Sequence, residues 1–321
     1  MSTTDGLWWA DAELEQRLLS DPAAVLKEHG INVGPDFPPD SAREVARIIC
    51  VIWQDGKVIP RSAFRIDPLD EGLLFGNGVW ESTRTASGLP WLWPLHIDRL
   101  RKTAALLGIN VAPERLPTSQ QVGAYVKALS DTDVVVRLNV SAGRAGVPGT
   151  VWMAAWPQQA PMSGVRLQTR RNPVEKNQPY LLWKTFQYAT RLRVGREAVP
   201  AGFDSALLLD DAGNVQEAAH ANIFLRLPTG WITPAVDGGL LPGTVRQMLL
   251  QHAPVVLREG TVPKASLKDV IEAFVTNSNL GIVPVTKIDD KTLAVGPETR
   301  QLMAWMFPVP PGGEKPHFVV G

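Results

Sequence analysis

Tyr180-Leu181-Leu182-Trp183-Lys184-Thr185-Phe186-Gln187-Tyr188 sets a single ammonium inside a run of apolar and aromatic side chains. Loss of water lowers a lysine's pKa and leaves its amine nucleophilic. Two readings of Lys184 are open on this stretch alone. It can be a reactive amine, or it can snorkel to water from the end of a strand with its stem on apolar neighbours. The choice rests on what lies to either side.

The surrounding chain has 321 residues, 45% hydrophobic and 20% charged, enough for about two packed domains and unlike a disordered or fibrous sequence. Lys+Arg and Asp+Glu both number 32, so no global field favours nucleic acid, an anionic membrane or a polyanion. The single Cys50 excludes an internal disulfide framework and a multi-cysteine metal site, and within Ile48-Ile49-Cys50-Val51-Ile52 it reads as a small buried hydrophobe. No apolar stretch approaches the ~20 residues of a membrane span, and the N-terminus lacks a secretory pattern. A cytoplasmic location is expected.

Upstream, Leu14 and Leu18 fall at helical spacing, and Asp21-Pro22 reads as the cap and first-turn proline of a helix through Ala23-Ala24-Val25-Leu26 that Gly30 closes. Gly34-Pro35-Asp36-Phe37-Pro38-Pro39 reads as a linker, which makes residues 1–47 a short helical module. From Arg47 the pattern turns to strands, with a hairpin of 47–53 and 57–60 around Gln54-Asp55-Gly56. The spacing of Leu95, Arg99, Leu100, Thr103 and Leu107 predicts a helix over 95–107 that Gly108 ends, and strands are predicted over 137–141 and 151–156. The linker-like composition of 157–164 divides the body into α/β domains at 48–160 and 161–308, with a flexible tail at 309–321.

Several familiar sites are absent. Gly76-Asn77-Gly78 is followed by Glu81 where a dinucleotide fingerprint needs its third glycine, and neither a Walker A loop nor His-Glu-x-x-His occurs. The histidines, His29, His96, His220, His252 and His317, lack ligand spacing and read as surface or hydrogen-bonded residues, so no metal site is expected. The eleven tryptophans accompany no basic stripe, which assigns them to cores and a pocket rather than to base stacking.

A set of segments in order carries more. These are Asp70-Glu71-Gly72, Gly76-Asn77-Gly78-Val79-Trp80-Glu81-Ser82-Thr83-Arg84 and Leu95-His96-Ile97-Asp98-Arg99-Leu100. Beyond Lys184 come Glu217-Ala218-Ala219-His220-Ala221-Asn222-Ile223-Phe224, Thr233-Pro234, Leu240-Leu241-Pro242-Gly243-Thr244-Val245-Arg246 and Thr276-Asn277-Ser278-Asn279-Leu280-Gly281-Ile282-Val283-Pro284-Val285. Across residues 50 to 300 this series resembles the class IV aminotransferases, pyridoxal 5'-phosphate enzymes of fold type IV. The resemblance implies an α/β fold with two mixed α/β domains behind the helical module.

It also implies roles. Lys184 matches the family's Schiff-base lysine, whose amine also moves the substrate proton, and Glu217 matches the carboxylate that partners the ring nitrogen. Read without the resemblance, Glu217 is a solvated charge at a strand end and Arg99 a surface helix residue. Arg99 matches the phosphate arginine, while Gly243, Thr244, Val245 and Ser278 match the two phosphate loops, and Asn222 accompanies the glutamate. Val245 stands where a threonine is common, so one side-chain donor is missing. Tyr188 matches an aromatic or apolar position beside the cofactor's phenolic oxygen, with plain packing as its other reading. Arg137 and Arg144 are the candidates for a substrate carboxylate, and Trp80 and Asn279 join them as substrate-binding candidates. Arg137, within Val134-Val135-Val136-Arg137-Leu138, also suggests a paired, inward charge, whereas Arg144 in a loop can be solvated.

The expected activity is amino transfer between an amino acid or amine and a 2-keto acid, with a homodimer as the family's usual assembly. Two alternatives stand beside it: a lyase of the 4-amino-4-deoxychorismate type that eliminates pyruvate, and a non-catalytic binding or scaffold protein on the same fold. Trp80 and Trp183 suggest a pocket that is narrowed or suited to flat apolar groups. Leu18-Leu19-Ser20-Asp21-Pro22-Ala23-Ala24-Val25-Leu26 and Gly30-Ile31 resemble the leader segment related to the nitrile hydratase alpha subunit, which implies either a protein partner that recognises residues 1–47 or a helical extension packed on the body or on a dimer partner.

Overall fold

The computed structural model describes residues 16–17, 20–28, 48, 50–158 and 162–306. The linker over 34–39 and the tail over 309–321 lie outside the described residues, as does most of the segment 1–47. Within that segment α1 (Pro22–Glu28) forms as its cap predicts, with Asp21 Oδ1 accepting from the Ala24 N–H at 3.0 Å. Cys50 is buried, and burial pushes its thiol up to about 11. The chain divides into two compact units between Gln158 and Gln159.

The first unit opens with the hairpin β1 (Val51–Gln54) and β2 (Lys57–Pro60), paired Gln54 to Lys57. Asp55 and Gly56 both have positive φ, 45° and 86°, the geometry a two-residue turn needs to match the strand twist. There follow α2 (Glu71–Phe75), β3 (Gly78–Ala86), β4 (Leu89–Pro90), α3 (Trp93–Leu106), α4 (Ser119–Leu129), β5 (Val134–Ser141), the short pair β6 (Gly143–Arg144) and β7 (Val147–Pro148), and β8 (Val151–Pro157). Six strands form an antiparallel sheet in the order β2-β1-β8-β5-β3-β4. Val136, Leu138 and Val140 of β5 face a core shared with Leu100 and Ala104 of α3 and Val122, Tyr125 and Val126 of α4. Strand alternation turns Val135, Arg137 and Asn139 to the opposite face.

Three boundaries differ from the sequence expectation by more than one residue. The first hairpin strand, expected over 47–53, is Val51–Gln54, because Ile48 and Cys50 are helical and Gln54 pairs with Lys57. The helix expected from Leu95 starts at Trp93, because that indole is buried and its Nε1 donates to the Pro117 carbonyl at 2.8 Å. The strand expected from Arg137 starts at Val134, because β3 continues its pairing as far as Arg84 opposite Val135.

The second unit contains β9 (Val165–Arg171), α5 (Ala189–Glu197), β10 (Ser205–Leu209), β11 (Val215–Ala218), β12 (Asn222–Leu227), β13 (Gly230–Pro234), α6 (Thr244–His252), β14 (Leu257–Gly260), β15 (Glu272–Asn277), β16 (Gly281–Ile288), β17 (Lys291–Thr292) and α7 (Pro297–Met306). Its nine strands make one mixed sheet, ordered β11-β10-β9-β16-β15-β12-β13-β14 with β17 on β16. β9 runs parallel to both β10 and β16, and β13 parallel to β14. Leu167, Leu207, Ile223, Leu225, Val275 and Val285 lie in its main core. Val194 of α5 packs on Ala206 and Leu208 of β10 in a separate cluster.

Candidate active site

In the second unit Lys184 stands in the irregular segment between a 3-10 turn at Pro179–Leu182 and α5, and it is half-buried rather than placed within a strand. Its Nζ lies 5.8 Å from the centroid of the Tyr188 ring. Tyr188 precedes α5, and its hydroxyl reaches His220 Nδ1 at 3.4 Å and the Ala219 carbonyl at 3.5 Å. The His220 ring is wedged beside Tyr188, with its Nε2 only 3.0 Å from where a Cβ on Gly195 would sit. Loss of water around that imidazole, followed by the Arg191 and Lys184 charges, lowers its pKa. A cavity of about 380 Å³ opens on this segment, lined by Tyr180, Trp183, Thr185, Tyr188 and Arg191 among others.

Glu217, on β11, is 3% exposed and not a solvated strand-end charge. Its Oε1 accepts from Arg191 Nη1 at 2.5 Å and from the Leu241 N–H at 3.1 Å. Its Oε2 accepts from the Asn222 amide at 3.1 Å. Asn222 also donates to the Leu241 carbonyl at 2.9 Å, which ties β12 to the loop before α6.

At the start of α6 the Thr244 and Ser278 hydroxyls lie 3.1 Å apart, although 34 residues separate them. Gly243, the N-cap, can carry no side chain: a Cβ would fall 2.0 Å from Asn222 Oδ1. Val245 is 1% exposed, so its side chain belongs to the packing under the helix. Asn279 is half-buried in the following turn, where its N–H donates to Asn277 Oδ1 at 3.0 Å.

In the first unit Arg99 projects from α3 and is largely buried rather than a surface residue. Its Nε and Nη2 donate to the two oxygens of Glu81, each at 2.7 Å, and His96 Nδ1 lies 2.6 Å from Oε2 of the same carboxylate. Burial raises the pKa of Glu81, but the Arg99 and His96 charges and bonds outweigh it and hold the carboxyl down at about 2. Arg137 stacks over the Trp80 ring, 3.7 Å from its centroid, and donates from Nε to Asn139 Oδ1 at 2.9 Å. Arg144 pairs with Asp67 at 2.9 Å on the exposed surface.

The structure thus gathers Lys184 with Tyr188, Glu217 with Asn222, and Thr244 with Ser278 within one unit, and Arg99, Arg137 and Trp80 within the other. The sequence reading missed Arg191, Glu81 and His96. Arg191 is hidden among Arg193 and Arg196 on a helix that reads as a charged, solvated face, while Glu81 and His96 stood within the matching segments with no role assigned. Among the described residues no cluster of His, Cys, Asp or Glu is arranged to hold a metal. No described helix is long and apolar enough to cross a membrane.

The family model for amino-transferase class IV matches residues 78–288. The chain belongs to the class IV aminotransferases. It is therefore a pyridoxal-phosphate-dependent enzyme. This class IV chain is 29% identical to a putative branched-chain-amino-acid aminotransferase of Methanocaldococcus jannaschii, over 78% of this chain and 93% of that protein. It is 28% identical to the aminodeoxychorismate lyase of Bacillus subtilis, over 75% of this chain and 87% of that protein. In three dimensions it is similar to the branched-chain aminotransferase of Thermoproteus uzoniensis crystallised with norvaline, with a TM-score of 0.71, 25% identity and coverage of 78% of this chain and 91% of that one.

Proposed function

We propose that this class IV enzyme is an aminotransferase that moves an amino group between an amino acid or amine and a 2-keto acid, with Lys184 as its reacting amine. The observation that carries the reading is the state of Glu217: a buried carboxylate with two donors on Oε1 and one on Oε2 keeps acceptor capacity on Oε2 for a ring N–H. The Thr244–Ser278 hydroxyl pair at the α6 N-terminus suits a phosphate, and Gly243 there makes room for the Asn222 side chain that holds Glu217. The residues of the second unit therefore fit the cofactor of the family.

Bound pyridoxal phosphate supplies an aldehyde for the substrate amine and a ring that delocalises the charge left when the Cα proton departs. Lys184 Nζ would take that proton from Cα and deliver it to the carbon that carried the aldehyde, from its place in the irregular segment before α5. Glu217 would partner the ring N–H through Oε2, with Asn222 fixing the carboxylate's rotation. Thr244 and Ser278 would hold the phosphate through their hydroxyls, and Val245 through its backbone N–H. Tyr188, whose ring lies 5.8 Å from Lys184 Nζ, would flank the cofactor's phenolic oxygen. Arg99 is assigned to the phosphate on its motif, and its rigid bidentate seat on Glu81 suits a cation that must keep one orientation. Arg137, oriented by Trp80 and Asn139, is the preferred substrate-carboxylate ligand, since Arg144 is engaged by Asp67. Trp80 and Asn279 are each carried as substrate-binding residues on the family resemblance alone, and a homodimer is the expected assembly.

The test is direct. Purified enzyme with pyridoxal phosphate should show a visible absorbance band that Lys184→Ala abolishes, together with amino transfer from an amine donor to a keto acid. A colourless protein that stays colourless with added cofactor sinks the proposal and favours a scaffold role. The likeness to the Bacillus subtilis lyase supports a second reading, elimination of pyruvate. Pyruvate release with no amino acceptor present would select it.

A further inference from the structure

Resting on that reading, we infer that Arg191 is the positioning residue of Glu217: it pins Oε1 and supplies the buried carboxylate's counter-charge, which leaves Oε2 to face the cofactor's ring nitrogen. Glu217 is buried and Arg191 half-buried, the side chains 3% and 16% exposed. Among the described residues the Glu217 carboxylate has three partners, and Arg191 is the one that carries charge; the others are the Leu241 N–H and the Asn222 amide. A carboxylate held only by neutral donors at this depth would carry a large desolvation cost.

The geometry divides the two oxygens. Arg191 Nη1 and the Leu241 N–H fill the acceptor sites of Oε1, whereas Oε2 has one neutral donor. The guanidinium is itself held, since its Nη2 donates to the Leu181 carbonyl at 3.2 Å, three residues before the reacting lysine. α5 thus carries Arg191 between the Lys184 segment and β11, so one side chain ties the position of the reacting amine's loop to the orientation of the ring's partner. Burial opposes the charge on Arg191, and the neighbouring Glu217 and Tyr188 outweigh that and raise its pKa, which keeps it a permanent cation.

The consequence concerns charge as well as position. A cation that shares Glu217 competes with the ring N–H for the same carboxylate, so Arg191 moderates how strongly the ring proton is held. Its removal should alter the ring nitrogen's hydrogen bond while the substrate's own contacts remain.

The holoenzyme carrying ring-15N-labelled pyridoxal phosphate tests this, with Arg191→Met, Arg191→Lys and Glu217→Gln compared to the parent for the ring 15N chemical shift, kcat, donor KM and thermal unfolding. In Arg191→Met, kcat should fall on the order of 10–100-fold, the range over which outer partners of a ligating group act, with KM changed less than about threefold and the ring 15N signal displaced. Arg191→Lys keeps the charge and should recover at least tenfold of the lost kcat and most of the shift. An unmoved ring 15N signal in a folded Arg191→Met overturns the inference, and so does a loss of kcat that Lys does not repair. If Arg191→Met fails to fold, the Lys variant decides alone: a ring signal and kcat that equal the parent's sustain the inference, and a kcat as low as that of Glu217→Gln overturns it. If Glu217→Gln leaves the ring signal unchanged, it is the role of Glu217 that falls, a separate outcome.

Discussion

Each unit of this enzyme buries one glutamate against one arginine, and the two pairs are built to opposite ends. In the first unit Glu81 has no exposure and grips Arg99 with both oxygens while a third bond comes from His96. Here the arginine is the group proposed to meet a ligand, and the carboxylate aims it. In the second unit Glu217 is the group proposed to meet a ligand, and Arg191 aims it through one oxygen. Buried ion pairs contribute little net stability because desolvation offsets attraction, yet breaking one is costly. What they supply in both units is orientation, and the difference lies in which partner keeps bonding capacity to spare.

The comparison can be broken first by stability. Arg99→Met should cost about 3–5 kcal/mol in urea unfolding, because Glu81 would be left charged without exposure to water. Glu217→Gln should cost less, since Arg191 keeps the Leu181 carbonyl and a 16% exposed side chain. Equal losses would mean that the two pairs are interchangeable.

Next comes activity. Glu217→Gln should lower kcat on the order of 10²–10³-fold, the scale of losing an oriented electrostatic partner, with the cofactor still bound. Stopped-flow measurement of the amine half-reaction reads this, and a kcat within threefold of the parent would remove Glu217 from the chemistry.

The third effect is in acid. Glu81 has a folded pKa of about 2 against an ordinary 4.5, so it binds fewer protons folded than unfolded in that window. Its contribution is complete above pH 4.5 and is lost as the pH falls toward 2, up to about 3 kcal/mol at 1.36 kcal/mol per unit. Urea midpoints between pH 5 and pH 2 should fall less steeply in Glu81→Gln than in the parent. Parallel curves would show that another group governs acid stability.

The smallest change sharpens the ligand side of the second unit. Thr244→Val removes one of two hydroxyls 3.1 Å apart and should weaken cofactor binding about fivefold, one ordinary hydrogen bond of ~1 kcal/mol. Equilibrium dialysis with pyridoxal phosphate measures it, and unchanged affinity would take that hydroxyl off the phosphate.

Much of this was legible from residues in order. Asp55-Gly56 forecasts the hairpin because positive φ at both central positions is a local property, although Gln54, read as part of the turn, pairs with Lys57 at the end of β1. The class IV family follows from motifs that survive as strings, with Lys184, Glu217 and the Gly243-Thr244 turn among them. The partners of those residues were not legible. Glu81 lies 18 residues from Arg99, and Glu217 lies 26 from Arg191, and no local periodicity links either pair.

The sequence by itself determined the family, the cofactor, the reactive lysine as a candidate and the short-range turns, because each depends on residue type at a near-constant spacing. Tertiary structure alone decided that Glu217 is buried instead of solvated, that Oε1 is filled while Oε2 retains capacity, and that Glu81 rather than water orients Arg99. The reason is physical: burial and hydrogen-bond saturation are set by which strand and helix faces meet. A carboxylate acquires its chemistry only when those faces have closed on it.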